Sequence, residues 1–486
     1  MNLIAKDELY QFRKFNNKYE RELRSCVYQE IMSGMSSGEI LDVIAGNKNL
    51  MFSMSLKQIK RHKEYFEGDI DFKKMAAAEN ITYPDKTTLI VKTTHACNLH
   101  CPYCYDVMFR KDLDAEGNKV TLEVVRQILK VFKDVNVGTW IWHGGEPLLI
   151  GKEFYDEANA LIKQQFKKVN ICMQSNLTLI DDENAAVLRK WNIRPGFSFD
   201  GLTNHLTRKN TNRLMRSIAT ADKNEVLGGA IMIITKDNIH NMIDDYEYFK
   251  RLGLGCKMNL IFAAHKNMNS YTLDGKMVAE EICKFFDYWI LDTYRPADSD
   301  LCERYLMAAL DAGGSCAFTD CAGKDYWFST QPDGTIYHCG RDWPESADVS
   351  FGNIFEMESV QDILNHPNHI RWYEGIRRML QHCSDCDYFY SCHSGCYNDN
   401  IQYDLTMNKP EPENCYTHRH VISHIIRVIN EIDYDDMPKY NPRFLNFLFR
   451  HQFRSAKMMK NILEESIKRI ETPVNAENKL KEFLAI

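Results

Sequence analysis

The chain has 486 residues, 44% of them hydrophobic and 26% charged, with a formal net charge of −7. That length allows two or three domains with real cores, and the acidic balance argues against general binding to nucleic acid or to anionic membranes. The first residues, Met1 to Glu20, are rich in charge and lack an apolar signal core, and no run of about eighteen apolar residues follows anywhere. Sixteen cysteines in such a chain point to a reducing, cytoplasmic setting, where thiolates serve metals or redox chemistry rather than disulfides.

Residues 1–85 read as a helical extension. Leu9, Phe12, Tyr19, Leu23 and Val27 recur at helical spacing, Ser36 with Glu39 resembles a capping box, and Ser55 with Gln58 opens a further helix. Its expected role is a cap packed on the main domain. From Thr88 strands and helices alternate. Strands are expected over 88–94, 137–142, 169–174, 197–199, 230–235 and 257–262, with helices over 121–133, 153–167, 183–191, 241–252 and 278–291. Six β–α repeats predict an α/β fold over 86–299 with a parallel sheet, either a partial barrel or an open wound sheet. Loops at the carboxyl ends of its strands should carry the chemistry. Residues 300–425 are irregular and rich in Cys, Gly, Asp and Tyr, poor material for an apolar core without metal staples. The tail, 426–486, turns helical and basic, with Phe444, Leu448 and Phe453 interleaved with Arg443, Arg450 and Arg454.

Cys97, Cys101 and Cys104 follow the first strand with the spacing C-x3-C-x2-C, and no fourth cysteine is close. Three thiolates can hold three irons of a cubane cluster and leave one iron open, whereas a structural cluster uses four. An open position is what a catalytic centre needs. A zinc knuckle is the competing reading; it would require a fourth ligand, and His95 and His100 are near. Gly144-Gly145-Glu146-Pro147 ends the second strand. Paired glycines permit a close backbone approach to a ligand, and a carboxylate can accept from an ammonium. Gln174-Ser175-Asn176 ends the third strand and Ser198-Phe199-Asp200-Gly201 the fourth, with His205 and Arg208 just beyond.

The cysteine triad, with Tyr103 between its last two members, resembles the signature of the radical S-adenosylmethionine (SAM) superfamily. GGEP resembles that family's SAM-amine motif, and the Ser198–Gly201 segment its S-x-D-G motif. The resemblance implies a partial (β/α)6 barrel with SAM held by Tyr103, Gly144, Gly145, Glu146, Pro147, Asn176, Ser198, Asp200 and Arg208. The spacing of His205 and Arg208 departs from the family's by about one residue. Downstream, Cys321 is followed after twelve residues by Gly334 and then by Cys339. Cys383-x2-Cys386-x5-Cys392-x3-Cys396 and Cys415 complete the set. This resembles the SPASM domain, and Cys316 resembles the extra ligand of members with two complete auxiliary [4Fe-4S] clusters. The resemblance implies ligation of one cluster by Cys316, Cys321, Cys339 and Cys396, and of a second by Cys383, Cys386, Cys392 and Cys415, making three [4Fe-4S] clusters in all. Two zinc sites are the competing account. Cys26, Cys172, Cys256, Cys283 and Cys302 remain, as small hydrophobes.

Such enzymes mostly modify peptides or proteins. Anaerobic sulfatase-maturing members carry an aspartate right after the cysteine matching Cys339; here Gly340 stands there, and Asp342 is the remaining candidate for a catalytic base. The expectation is therefore a maturase of ribosomally made precursor peptides, with formylglycine formation on a sulfatase as the alternative and a degenerate iron–sulfur electron carrier as a reading of another class. Expected partners are a precursor peptide or protein substrate and a reductase, flavodoxin or ferredoxin as electron donor, with no nucleic acid and no membrane.

Overall fold

The computed structural model describes residues 87–106, 110–261, 273–294, 296–297, 299–309, 327–341, 349–383, 386, 388–392, 394–403, 410–432, 439–445 and 447. The expected N-terminal helices, Cys316, Cys321, Asp342 and most of the basic tail lie outside them. The described residues fall into two compact units.

The larger unit alternates strands and helices: β1 (Thr87–Lys92), α1 (Leu122–Val131), β2 (Val137–His143), α2 (Lys152–Gln165), β3 (Asn170–Ser175), α3 (Asp182–Lys190), β4 (Gly196–Ser198), α4 (Thr211–Lys223), β5 (Ala230–Ile234), α5 (Met242–Arg251) and β6 (Cys256–Leu260). Neighbouring strands among these six pair in parallel in sequence order, each joined to the next through a helical crossover. This is the α/β arrangement expected from the sequence. Helix starts are set locally. Thr121 caps α1 by accepting from the Val124 amide, and Asp181 caps α3 by accepting from the Asn184 amide at 2.7 Å.

Alternation along β2 sorts its side chains. Trp140 and Trp142 are fully buried, and the Trp142 ring meets Phe154 and Tyr155 of α2 edge-on while its indole N–H donates to Asn159 Oδ1 at 2.9 Å. Thr139, Ile141 and His143 therefore turn to the opposite, inner face of the sheet. The β1/β2 register places Ile90 beside Ile141 and Lys92 beside His143 on that face.

Two strands from the Cys-rich region join the same sheet. β7 (Trp327–Thr330) pairs in parallel with β1, and β8 (Ile336–Tyr337) pairs antiparallel with β7. The sequence reading of this segment as irregular missed them. They are short, and β1, which anchors β7 in the sheet, lies more than two hundred residues upstream, so no local periodicity announces them.

The smaller unit is built on three helices, α6 (Gly275–Leu291), α7 (Asp300–Ala309) and α9 (Pro412–Asn430); α8 (Pro367–Cys383) supplies its last turns. Gly275 permits the closest approach: its N–H donates to Glu413 Oε2 at 2.6 Å, and Thr417 Oγ1 donates to its carbonyl at 3.0 Å. Trp289 and Phe286 of α6 pack against Phe444, and the Asn441 side chain donates to the Trp289 carbonyl at 2.8 Å. Among the described residues no helix is long and apolar enough to cross a membrane.

Trp142→Ala should destabilise the larger unit by about 3–5 kcal/mol, the cost of emptying a fully buried aromatic site. Urea denaturation checks this, and a loss under about 1 kcal/mol would contradict the packing described.

Candidate functional site

The loop carrying Cys97, Cys101 and Cys104 leaves β1 and is tied down by backbone contacts. The Thr93 carbonyl accepts from Val120 N at 2.8 Å, the Asn118 side chain accepts from His95 N at 2.9 Å, and Arg110 donates to the Leu99 carbonyl at 2.8 Å. The glycine turn after β2 then pairs with it directly: Gly145 N donates to Thr94 O at 2.7 Å and Glu146 N to Ala96 O at 2.8 Å. A Cβ at Gly144 or Gly145 would collide with the Thr94 or Ala96 carbonyl. The sequence reading assigned these glycines to close approach of a ligand. In the structure their bareness also admits the cysteine loop.

All three cysteines are free and partly buried. Burial pushes the Cys97 thiol up to about 11, with Glu146 and the other two sulfurs adding in the same direction. Burial also raises Cys101, against the opposing charges of Arg208 and Arg110, and it raises Cys104. Such sulfurs become thiolates when a cation compensates them, which suits a metal-binding set. Among the described residues no three His, Cys, Asp or Glu side chains are grouped to hold a single metal ion. A cubane takes one thiolate per iron, so three thiols suit it with one iron left open, whereas zinc would need a fourth ligand.

A second tie comes from β4. Asp200 is fully buried and accepts from the Tyr103 hydroxyl, from Thr207 Oγ1 at 2.8 Å and from Ile233 N at 3.0 Å. Arg208 closes the group, its Nε 3.0 Å from Asp200 Oδ2 and its guanidinium 5.3 Å from the centre of the Tyr103 ring. Burial opposes the charge on Arg208, but Asp200, Tyr103 and Cys101 more than hold it, so its pKa stands above the ordinary arginine value. His205, by contrast, is exposed, with Nδ1 against its own turn at Leu202 O, 3.1 Å away.

Glu146 is fully buried. Its carboxylate accepts from Ser175 Oγ at 2.7 Å, Asn176 N at 2.7 Å and Leu148 N at 3.0 Å. Burial raises its pKa against these three donors. The sequence reading gave this carboxylate to an ammonium, but its oxygens face these internal donors and staple the glycine turn to the end of β3. Pro147 begins the following turn and its carbonyl accepts from Tyr155 OH at 2.6 Å. Asn176 Nδ2 lies 3.7 Å from the Cys97 sulfur and 2.8 Å from Asn98 Oδ1. Ser198 is half-buried, and its hydroxyl accepts from Gln174 Nε2 at 3.4 Å.

The sequence reading missed a charged cluster on the inner face. Lys92, fully buried at the end of β1, pairs with Asp106 at 2.9 Å, and His95 Nδ1 is 3.4 Å from the same carboxylate. Burial alone would raise the Asp106 pKa, but Lys92 and His95 hold it well below the usual carboxylate range. Burial and then the Lys92 charge push His143 down to about 4, and its Nδ1 accepts from Gly144 N at 2.7 Å. The neutral ring therefore carries its proton on Nε2. A lysine closing the apolar strand Leu89-Ile90-Val91 was the available signal, since a buried lysine demands a partner.

In the smaller unit Cys383, Cys386, Cys392 and Cys415 line one pocket. They come from the end of α8, the residues after it, the one-turn helix Phe389–Cys392 and the first turn of α9. Cys396, expected in the other set, lines the same pocket and is buried. The Ser394 hydroxyl, also lining it, is buried with the Cys383 sulfur as its one partner. A buried donor held at a cysteine sulfur fits a bound iron–sulfur group whose sulfurs would accept from it. Cys339 belongs to the larger unit, and its neighbour Gly340 sits over the inward-facing Ile90 side chain.

Two outcomes follow from this geometry. Gly145→Ala should lower the iron retained by the triad after anaerobic reconstitution, read against the unsubstituted chain; full retention would mean that the close approach is dispensable. The unfolded chain takes up a proton at a histidine near the usual pH 6.5, whereas folded His143 and His418 do so only near pH 4. Stability should therefore fall as pH drops from about 6.5 toward 4. Denaturation at pH 7.5 and pH 5 should show a shallower loss in His143→Gln, and an unchanged loss would count against a buried neutral His143.

Comparison with known proteins agrees with this architecture. Residues 91–249 match the model of the radical SAM superfamily, and residues 321–387 match SPASM, an iron–sulfur cluster-binding domain. A cysteine-type anaerobic sulfatase-maturating enzyme of Clostridium perfringens is 24% identical over 64% of this chain and 89% of its own length. The serine-type enzyme of Bacteroides thetaiotaomicron is 22% identical over 62% of this chain and 80% of its own. The solved structure of native anSMEcpe with bound AdoMet has the same fold, with a TM-score of 0.59 at 21% identity, covering 71% of this chain and 100% of that one. The chain thus carries a radical SAM domain over residues 91–249 and a SPASM iron–sulfur cluster-binding domain over residues 321–387.

Proposed function

We propose that this enzyme abstracts a hydrogen atom from a residue of a ribosomally made precursor peptide, leading to a crosslink or rearrangement. The observation that carries this reading is Gly340. The sulfatase-maturing pattern puts an aspartate, the expected general base, right after the cysteine matching Cys339. Here the position carries no side chain at all, and an added Cβ would stand 3.3 Å from both Cδ1 and Cγ2 of Ile90, so that Ile90 would have to give way. Asp342, the other candidate base, lies outside the described residues.

S-adenosylmethionine with a [4Fe-4S] cluster on Cys97, Cys101 and Cys104 would supply, on one-electron reduction from a reductase, flavodoxin or ferredoxin, the 5′-deoxyadenosyl radical that takes the hydrogen. The chain's part is to hold that centre rigid. Tyr103, Asp200 and Arg208 brace the cysteine loop from β4, and the Gly144–Pro147 turn braces it from β2. With the Glu146 carboxylate committed to Ser175, Asn176 and Leu148, the SAM ammonium would be met by other acceptors, and Asn176 and Ser198 supply polar groups at neighbouring strand ends. Cys383, Cys386, Cys392 and Cys415 would hold one auxiliary cluster, and Cys316, Cys321, Cys339 and Cys396 the other. Eight thiolates for two cubanes leave no open iron, which favours electron transfer over substrate ligation.

A peptide substrate is supported by the shared fold, since anSMEcpe has been solved with AdoMet and the Kp18Cys peptide. The second reading, formylglycine formation on a sulfatase, is favoured by the names of the relatives.

Reduced, reconstituted enzyme with SAM should release 5′-deoxyadenosine and contain about twelve irons per chain. Cys101→Ala should abolish the release, and continued cleavage would remove Cys101 from the cluster. Mass spectrometry then separates the two readings. A mass change in a short peptide encoded beside the gene supports maturation, whereas conversion of a cysteine in a sulfatase-derived peptide, with the neighbouring peptide unchanged, overturns it.

A further inference from the structure

The pocket of the smaller unit lined by Cys383, Cys386, Cys392, Cys396 and Cys415 holds two side chains that no expected ligand role explains, Ser394 and Arg419. Ser394 has a backbone φ of +66°, followed by Gly395 at +71°. A left-handed backbone is unfavourable for a serine and persists only where its surroundings impose it. Those surroundings are explicit. Asn400, itself buried, donates from Nδ2 to the Ser394 carbonyl at 2.8 Å, and Gly395 N donates to the Cys392 carbonyl at 3.0 Å. The turn so fixed holds the buried Ser394 hydroxyl in the pocket with the Cys383 sulfur as its one partner. The strained backbone is thus a cost whose return is a donor held at a sulfur.

Arg419 faces the pocket from the other side. It lies one helical turn after Cys415 on α9, its side chain hydrogen-bonds the Cys415 sulfur, and its guanidinium is 5.9 Å from the centre of the Tyr388 ring. The nearby Glu411 carboxylate is engaged elsewhere, capping α9 by accepting from Glu413 N and from Asn414 N at 2.7 Å. Donors and positive charge at the sulfurs of an iron–sulfur centre stabilise its reduced, more negative state.

We propose that the Ser394 hydroxyl and the Arg419 guanidinium donate to the sulfurs of the iron–sulfur centre held by Cys383, Cys386, Cys392 and Cys415, and thereby raise its reduction potential. This rests on the reading that those four cysteines hold a cluster. Both side chains are tuning residues: they act through the cluster and need not touch the substrate. Ser394, buried, carries the larger share, because solvent screens the exposed Arg419.

The test is a potentiometric titration of the reconstituted full-length chain, followed by electron paramagnetic resonance. Cys386→Ala identifies the signal belonging to this cluster. In Ser394→Ala that signal should titrate at a lower potential while the other signals stay where they were. Arg419→Gln should lower it by less, and Arg419→Lys should recover most of that loss. A midpoint unchanged or raised in both Ser394→Ala and Arg419→Gln overturns the proposal. If Cys386→Ala loses neither iron nor a signal, the four cysteines hold no cluster, and the reading beneath the proposal fails instead.

Discussion

The larger unit depends on a short backbone pairing between two loops that share no secondary structure. Gly145 and Glu146 donate to the carbonyls of Thr94 and Ala96, and this fixes the path of the cysteine loop before any side chain is considered. The pairing exists because two glycines in a row remove the Cβ atoms that would strike those carbonyls. Three thiols separated by three and two residues can then be offered as one set. Without the pairing, the same spacing would describe an ordinary mobile loop.

The other braces converge on the same loop from further along the sheet. Glu146 ties the glycine turn to Ser175 and Asn176, and Asp200 ties Tyr103 to Arg208. The ends of β2, β3 and β4 thus reach the loop that leaves β1. Each brace uses a buried carboxylate, and each carboxylate accepts from at least three donors, as burial of a charge requires. The acidic residues that look most like ligand contacts are largely spent on holding the loop. Groups turned inward with less obvious roles, such as His143 with its fixed tautomer, then become the more interesting ones.

The smaller unit solves a related problem differently. Its cysteines come from helix ends and tight turns, and their sulfurs are gathered by helix packing and by a left-handed turn at Ser394 and Gly395. A parallel sheet can present a loop at a strand end without strain. A helical unit has to bend its chain between helices to bring cysteines to one pocket, and the bend is where the unusual backbone and the buried Ser394 hydroxyl occur.

From sequence alone came the β–α alternation, the bounds of most strands and helices in the larger unit, and the spacing of the cysteines. These are local properties: periodicity along a strand or helix, and spacing of thiolates within a loop. Tertiary structure alone decided what the buried polar groups do. Glu146 meets Ser175, Asp200 meets Tyr103, and Lys92 meets Asp106 and His143 through strand register and loop crossing, across gaps of up to about a hundred residues. No short motif encodes such partners, since a carboxylate reads the same in sequence whether it faces a ligand or a backbone amide. β7 and β8 escaped notice for the same reason: what makes them strands is pairing, of β7 with β1 and of β8 with β7, rather than any pattern of their own.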